Sequence, residues 1–120
     1  MNQENQKERM FELYEDKTNF GTLKEKTHTV KHKNPICNDE IIIELKIENN
    51  KIVDAKFSGI TCFISTISSA ALLEKIKGMT VEEVKKLKKE DLDKAIGTEV
   101  MYTRIACELM PLEAIKKIKC

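Results

Sequence analysis

The stretch Glu40-Ile-Ile-Ile-Glu-Leu-Lys-Ile-Glu-Asn-Asn-Lys-Ile-Val-Asp-Ala-Lys-Phe57 decides the fold class of this 120-residue chain. Its first half alternates apolar and polar residues, which is typical of a strand with one buried face. The buried face would carry Ile41, Ile43, Leu45 and Ile47, and the wet face Glu44, Lys46 and Glu48. Asn49-Asn50 is a turn signal because Asn tolerates positive φ. Val53, Ala55 and Phe57 form the apolar face of a second strand, so the stretch predicts an antiparallel hairpin.

On both sides of the hairpin the apolar residues recur at helical spacing. After Ser58-Gly59 the pattern predicts four helices, which cover about residues 64–76 (ended by Gly78), Thr80 to about Leu87 (started by a capping box), Asp91–Ile96 and about Glu108–Lys119. Before the hairpin, residues 4–16 predict an amphipathic helix whose apolar side is Met10, Phe11, Leu13 and Tyr14. Lys17–Lys33 reads mainly as loop, with one short strand around Thr27–Lys31. The whole chain, 1–120, is therefore predicted to be a single α+β domain with helices packed on one face of a small antiparallel sheet.

Composition and charge exclude several classes of function. Lys and Arg number 21 and Asp and Glu 20, so the formal net charge is +1 and no basic field draws nucleic acid or an anionic membrane. No apolar run approaches the roughly 18 residues of a membrane span. The N-terminal stretch Met1–Met10 is polar and lacks the apolar core of a secretory signal. We therefore expect no nucleic-acid partner, no membrane partner and a cytoplasmic location in which thiols stay reduced.

The chain has cysteines at 37, 62, 107 and 120, and none of them belongs to a Cys-x-x-Cys pair. Cys37 and Asp39 lie two apart in extended chain and so point the same way. Cys62 stands where the second strand gives way to a helix, and Cys107 at or just before the start of the last helix. Helix N-termini favour thiolate over thiol. The first three cysteines with Asp39 would suit a metal site of three thiolates and one carboxylate; a single buried cysteine is more often inert, and Cys120 is expected to be an exposed bystander.

Three cysteine motifs carry a resemblance that spans about residues 10–118. Asn34-Pro-Ile-Cys-Asn-Asp-Glu40 resembles the Asn-Pro-x-Cys-Gly-Asp signature of the IscU/SufU/NifU N-terminal family of iron–sulfur cluster assembly scaffolds. Ser58-Gly-Ile-Thr-Cys-Phe-Ile-Ser-Thr-Ile-Ser-Ser69 resembles the second motif of that family, and Arg104-Ile-Ala-Cys-Glu-Leu109 the third. Asn19-Phe-Gly-Thr-Leu23 resembles the segment that ends the family's first helix. The resemblance implies a three-stranded antiparallel sheet with helices against it, and a site made of Cys37, Asp39, Cys62 and Cys107.

The chain departs from the family pattern at four places. Asn38 replaces the Gly after the first cysteine, and Thr61 a Gly before the second. Ala106 stands where IscU-type members carry a His, so that fourth-ligand candidate is missing. Val100-Met-Tyr-Thr103 replaces the Leu-Pro-Pro-Val that IscU proteins offer to a dedicated Hsp70 chaperone, so the resemblance does not carry that partnership over. The chain also lacks the insertion that SufU-type members carry between their second and third cysteines.

What the resemblance implies is a scaffold that builds a transient [2Fe–2S] cluster and is not itself an enzyme. Thiolates match soft, sulfide-bridged iron, whereas the harder carboxylate of Asp39 should bind iron more weakly and make the cluster labile. Its partners would be a cysteine desulfurase as sulfur donor and apo iron–sulfur proteins as acceptors. The persulfide would form on an accessible thiolate, for which Cys37 and Cys107 are the candidates. Arg104, three residues before Cys107, is a candidate to stabilise the thiolate or cluster charge, with a solvated surface arginine as the alternative.

Two other hypotheses remain open at this point. The same four ligands would hold Zn²⁺ tetrahedrally, and a zinc-bound sulfur acceptor of the SufU type would relay persulfide without building clusters; Ala106 favours it. A cysteine hydrolase would use Cys37 with His28 or His32. Those histidines lie in a polar, Lys-rich segment where we expect them to be solvated, and no oxyanion-type motif supports catalysis.

Overall fold

The computed structural model of the protein describes residues 3–34, 39–98 and 105–118. Within these ranges the chain forms five helices and three strands. In chain order they are α1 (Gln3–Glu15), β1 (His28–Lys33), β2 (Glu40–Glu48), β3 (Lys51–Ile60), α2 (Phe63–Ile76), α3 (Val81–Lys85), α4 (Lys89–Ile96) and α5 (Ile105–Ile115). The α+β prediction is confirmed. Among the residues described, no helix combines the length and the apolar character that crossing a membrane requires.

The sheet is antiparallel with the strand order β1-β2-β3, and the hairpin turn lies where it was predicted. Asn49 and Asn50 both have positive φ, 51° and 65°, which is the backbone that a tight two-residue hairpin turn demands. The predicted face of β2 is buried at Ile41, Ile43 and Leu45 and half-buried at Ile47.

The inner face of β3 differs from the prediction at its start. Ala55 pairs with Leu45, but Ile47 pairs with Ile52, so Val53 is an extra residue in β3 and forms a β-bulge. The bulge reverses the alternation: Ile52 is fully buried whereas Val53 is 44% exposed. Placing Val53 on the apolar face was therefore wrong, because strict alternation does not hold across a bulge.

The outer face of the sheet is partly covered by the segment between α1 and β1. Glu44, predicted on the wet face, is buried. Its carboxylate accepts a hydrogen bond from the Leu23 amide (2.7 Å) and pairs with Lys26 Nζ (2.8 Å). The bond from Lys26 first, and then that from Leu23, hold the pKa of Glu44 below its ordinary value. The outward-facing carboxylate of Glu44 thus holds the segment between α1 and β1 against the sheet.

The helices lie over the inner face and enclose an aliphatic core. α5 packs against β1 and β2, α2 against β3, and α1 against α2 and α4. The largest fully buried side chains are Leu13, Ile41, Ile43, Leu45, Ile52, Phe57, Ile67, Leu72, Leu73, Ile76, Leu92 and Ile96. The capping box predicted at Thr80 is present, with Glu83 as its partner. On α1 the prediction holds for Leu13 and in part for Met10, but Phe11 and Tyr14 are exposed and contact the Phe63 ring.

The last helix begins earlier than predicted. It runs over Ile105–Ile115, so Cys107 lies inside its first turn and Pro111 lies within the helix. Proline has no amide hydrogen for the carbonyl four residues before it, here that of Cys107. The Ser65 hydroxyl of α2 donates to that carbonyl (3.2 Å), so a donor from a neighbouring helix serves the position that Pro111 cannot. Pro111 is evident in the sequence, but the donor from α2 becomes evident only when the two helices are packed together.

Candidate metal centre

Three of the four residues singled out from the sequence meet at one end of the sheet. One ligand atom each from Asp39, Cys62 and Cys107 lies within 4.8 Å of the other two. These residues come from three stretches separated by 23 and 45 positions, so only the fold brings them together. The fourth, Cys37, lies outside the described residues, as do Arg104, Cys120 and the segment 100–103.

Asp39 is held at the entrance of β2 by backbone contacts on both sides. Its carbonyl accepts a hydrogen bond from the Asn34 amide (2.8 Å), which joins the end of β1 to the start of β2. Its Oδ2 accepts from the amide of Cys62 (3.1 Å). The side chain is 9% exposed. Asp39 is therefore a buried carboxylate aimed at the junction of β3 and α2.

Cys62 is the N-cap residue of α2 and presents its sulfur at the positive end of that helix. Its backbone is extended (φ −78°, ψ 176°), and its Sγ accepts a hydrogen bond from the Ser65 amide at 3.4 Å. Its carbonyl accepts from the amide and the hydroxyl of Thr66, both at 2.8 Å. The sulfur therefore lies at the end of α2 where the backbone amides are free to donate. Cys62 as a residue is half-buried.

Cys107 faces Cys62 from the first turn of α5 and is 6% exposed. Two serines of α2 fasten that turn. Ser65 Oγ donates to the carbonyl of Cys107 at 3.2 Å, and Ser68 Oγ donates to the carbonyl of Glu108 at 2.6 Å. Both serines are fully buried. Their short side chains let α2 and α5 approach closely, which sets the distance between the two sulfurs.

Glu108 follows Cys107 and is fully buried beside two charged groups of α4. Lys89 Nζ lies 2.8 Å from Asp93 Oδ2 and 3.6 Å from Glu108 Oε1. Burial, and then the neighbouring Asp93, raise the pKa of Glu108 to about 8. At neutral pH its carboxyl group therefore keeps its proton. Lys89 and Asp93 form an ion pair next to it, and the net charge of that pair is zero.

The donor set suits a thiophilic metal ion. A tetrahedral site with metal–sulfur bonds of about 2.3 Å has sulfurs about 3.8 Å apart, and the three ligand atoms already lie within 4.8 Å of one another. Two sulfurs and one carboxylate oxygen leave one position for a fourth donor. Cys37, two residues before Asp39 in the chain, is the residue that the sequence offers for it.

The two histidines do not belong to this trio. His32 lies in β1, not in a loop, and its Nε2 is 2.8 Å from Glu113 Oε2 of α5. His28 begins β1, and its Nδ1 lies 2.8 Å from Thr27 Oγ1. The expectation of solvated histidines was wrong for His32, whose side chain is 19% exposed and paired with an acid. The contact of His32 Nε2 with Glu113 joins β1 to α5.

Two residues that shape the site, Ser65 and Glu108, were not predicted from the sequence. Ser65 stands three residues after Cys62, the spacing at which an N-cap side chain meets a backbone amide. Pro111 stands four residues after Cys107, so the Cys107 carbonyl cannot accept the usual helical hydrogen bond from the amide four residues on. Those spacings together could have pointed to Ser65. Nothing in the sequence pattern separates Glu108 from the many exposed glutamates.

Known proteins of one family match almost the whole chain. A family model described as the NifU-like N-terminal domain matches residues 5–118. The iron–sulfur cluster assembly enzyme IscU of Drosophila melanogaster is 34% identical over 113 residues, which cover 91% of this chain and 72% of that protein. The nitrogen fixation protein NifU of Nostoc is 30% identical over 117 residues, and the match covers 91% of this chain but 39% of NifU.

Solved structures share the fold at lower identity. An iron–sulfur cluster assembly scaffold protein for the SUF system from Fervidobacterium islandicum superimposes with a TM-score of 0.76 at 22% identity, covering 91% of this chain and 92% of that one. A NifU-like N-terminal protein from Brucella abortus gives a TM-score of 0.75 at 17% identity, covering 90% and 87%. At these identities the likeness concerns the arrangement of helices and strands.

Proposed function

The chain belongs to the family of NifU-like N-terminal domains, and on that premise we propose that it is a scaffold on which iron–sulfur clusters are assembled. Curated relatives over most of the chain are named iron–sulfur cluster assembly proteins, and several of them scaffolds. The role needs no catalytic machinery, because a scaffold binds iron and sulfide and gives them up as a cluster. Sulfur relay through one of the cysteines is compatible with it.

One observation carries the proposal: the ligand atoms of Asp39, Cys62 and Cys107 lie within 4.8 Å of one another. Two thiolates at one point supply the soft donors that hold iron in sulfide-bridged clusters. Cys37 is proposed as the third thiolate, since it precedes Asp39 by two residues. The four residues Cys37, Asp39, Cys62 and Cys107 form the proposed site, and a [2Fe–2S] cluster is its proposed cargo.

Asp39 gives the site a physical reason to release that cargo. A carboxylate is a harder ligand than a thiolate and binds thiophilic iron less tightly. Asp39 Oδ2 also accepts the amide hydrogen of Cys62, so the carboxylate that leaves a metal ion already has a partner within the protein. Exchange between these two roles lowers the cost of cluster departure.

The proposed partners follow from the chemistry of assembly. The sulfur must come from a persulfide donor, for which a cysteine desulfurase is the appropriate class, and a two-electron reductant must convert it to sulfide. The finished cluster must pass to apo iron–sulfur proteins. Thiolate ligands persist in a reducing compartment, which supports a cytoplasmic location. Of the two candidate persulfide acceptors, Cys107 is buried, so Cys37 is the proposed acceptor.

A second candidate is a zinc-bound sulfur acceptor of the SufU type. Its support is the donor set itself, since Zn²⁺ takes the same tetrahedral arrangement of thiolates and carboxylate, together with Ala106 at the position where IscU-type members carry a histidine. In this case Zn²⁺ would remain bound while sulfur passes through, and no cluster would form.

Anaerobic reconstitution with iron, sulfide and a thiol reductant separates the two candidates. The scaffold proposal predicts the visible absorption of a [2Fe–2S] cluster, with two iron atoms and two sulfides per site, and transfer of that cluster to an apo-ferredoxin. Cys37→Ser, Cys62→Ser and Cys107→Ser should each cripple cluster binding, while the matched control Cys120→Ser should be silent. A protein that binds one Zn²⁺, stimulates a desulfurase and never forms a cluster would favour the second candidate. Cluster formation undisturbed by Cys62→Ser and Cys107→Ser would contradict the proposed site.

A further inference from the structure

Ser65 contacts both cysteines of the trio, Cys62 through its side chain and backbone and Cys107 through its side chain. Its hydroxyl oxygen lies 3.3 Å from Cys62 Sγ and 3.2 Å from the carbonyl oxygen of Cys107. Its amide donates to the same Cys62 sulfur at 3.4 Å. The side chain is completely buried, so water does not compete for these contacts.

A serine hydroxyl has a single hydrogen and two lone pairs. Three acceptors lie within reach of that hydrogen: the Cys107 carbonyl, the Cys62 sulfur and the Met110 thioether at 3.4 Å. While Cys62 is a thiol, its own S–H can donate to Ser65, and the Ser65 hydrogen is left for the Cys107 carbonyl. Once Cys62 is a metal-bound thiolate it has no hydrogen to give and becomes a charged acceptor, which attracts donors more strongly than a neutral carbonyl.

The carbonyl of Cys107 competes with the Cys62 sulfur for the hydrogen of Ser65. Pro111, four residues on, has no amide hydrogen to donate to it. Ser68 provides the internal comparison, because it donates to the carbonyl of Glu108 (2.6 Å) from the same face of α2. Both serines fasten α5 to α2, and Ser65 in addition contacts the sulfur of Cys62.

We propose that Ser65 is a positioning residue that transfers its hydroxyl hydrogen bond from the Cys107 carbonyl to the Cys62 sulfur when that sulfur binds a metal ion. The inference rests on the proposed metal site and deepens it. Hydrogen bonds to a metal-bound sulfur withdraw electron density from it and tune the metal. The same transfer removes one of the two serine hydrogen bonds that fasten the first turn of α5 to α2.

Co²⁺ is the probe for the test, because thiolate-to-cobalt charge transfer reports the electron density on the sulfur. Ser65→Ala should move the charge-transfer band of the Co²⁺-loaded protein to longer wavelength, since a sulfur without its hydrogen bond gives up an electron more easily. It should also weaken Co²⁺ binding by about ten- to a hundredfold, the usual effect of losing a partner to a metal ligand. Ser65→Thr, which keeps the hydroxyl, should restore the wild-type band.

Ser68→Ala is the matched control. It removes a buried hydroxyl that fastens α5 to α2, so it should lower the melting temperature of the metal-free protein as Ser65→Ala does. Its cobalt band should stay at the wild-type wavelength, since Ser68 has no role at the sulfur. If Ser65→Ala proves too unstable to titrate, Ser65→Thr and Ser65→Val make the same comparison at nearly equal volume, with and without the hydroxyl.

The outcomes separate the two levels of the argument. Loss of the band in Cys62→Ser would show that the wild-type protein binds Co²⁺ through Cys62. If Ser65→Ala and Ser65→Val then leave the wavelength of the band unchanged, the role of Ser65 is overturned and the metal site stands. A wild-type protein with no thiolate-to-cobalt band overturns the metal site and the role of Ser65 together.

Discussion

Replacing Gly59 by alanine should be among the most damaging small substitutions in the chain, and its cost can be worked out from the structure. Gly59 has φ +116°, and a Cβ there would overlap the carbonyl oxygen of Glu40 on β2 and lie 3.3 Å from Cα of Ile41. The positive φ alone costs about 1–3 kcal/mol for a residue with a side chain. Relieving the overlap must push β3 away from β2, and each buried ladder hydrogen bond left unsatisfied costs a further 1–3 kcal/mol or so.

The sum for Gly59→Ala is about 2–6 kcal/mol, against a total of roughly 6–18 kcal/mol for a domain of this length. Gly78→Ala is the matched control. Gly78 also has positive φ (+91°), but a Cβ there meets nothing within 4 Å, so only the conformational term of about 1–3 kcal/mol applies. The difference of about 1–3 kcal/mol is the part that comes from the close approach of the strands.

Urea unfolding followed by circular dichroism measures this difference directly. With a slope of about 1–3 kcal/mol per molar urea, the midpoint of Gly59→Ala should lie roughly 1 M below that of Gly78→Ala. Asp39 immediately precedes Glu40, and Cys62 lies three residues after Gly59, so the same variant should also lose metal binding. Equal midpoints for the two variants would refute the argument from close approach.

Three further predictions concern the carboxylates and the bulge. Asp39→Ala should slow cluster transfer from the loaded protein to an apo-ferredoxin, because the weak ligand that allows release is gone; transfer at an equal or faster rate would count against the role of Asp39. Glu108 has a folded-state pKa of about 8 against an ordinary 4.5, so the metal-free protein should lose stability as pH rises from about 4.5 to 8, by as much as about 4 kcal/mol. Glu108→Gln should flatten that loss in urea unfolding at pH 5 and pH 8, and an unchanged slope would contradict the burial argument. Ile52→Ala should destabilise the fold by about 2–5 kcal/mol and Val53→Ala by no more than about 0.5 kcal/mol, whereas the reverse order would contradict the bulge.

Alternation and turn chemistry were enough to predict the hairpin, because each depends on neighbouring residues only. The start of β3 was not predictable in the same way. Ile52 and Val53 are both apolar and β-branched, so the pattern fits either of them inward, and the bulge that chooses Ile52 arises from pairing with β2. Glu44 was misplaced for a related reason: its outward direction follows from the alternation, but its burial depends on a loop more than 15 residues earlier.

In the candidate site too, the features that depend on neighbouring residues were predictable, and those that depend on residues distant in sequence were not. The N-cap position of Cys62 follows from a local change of periodicity, and the structure has it there. The position of Cys107 inside α5 was missed because Pro111 argues for a later start when only α5 is considered. The donor that serves the Cys107 carbonyl comes from Ser65, 42 positions away. A side chain that donates a hydrogen bond to a carbonyl of another helix produces no periodic pattern in the sequence.

X-ray absorption at the zinc edge of the Zn²⁺-loaded protein tests most directly whether the site is assembled as described. The account predicts a four-coordinate ion with three sulfurs at about 2.3 Å and one oxygen at about 2.0–2.2 Å. In Cys107→Ser one of the sulfurs should be replaced by an oxygen or nitrogen donor, while Cys120→Ser should give the wild-type spectrum. A zinc ion surrounded by oxygen and nitrogen alone, or a sulfur count that Cys62→Ser and Cys107→Ser leave unchanged, would contradict a shared site of Asp39, Cys62 and Cys107.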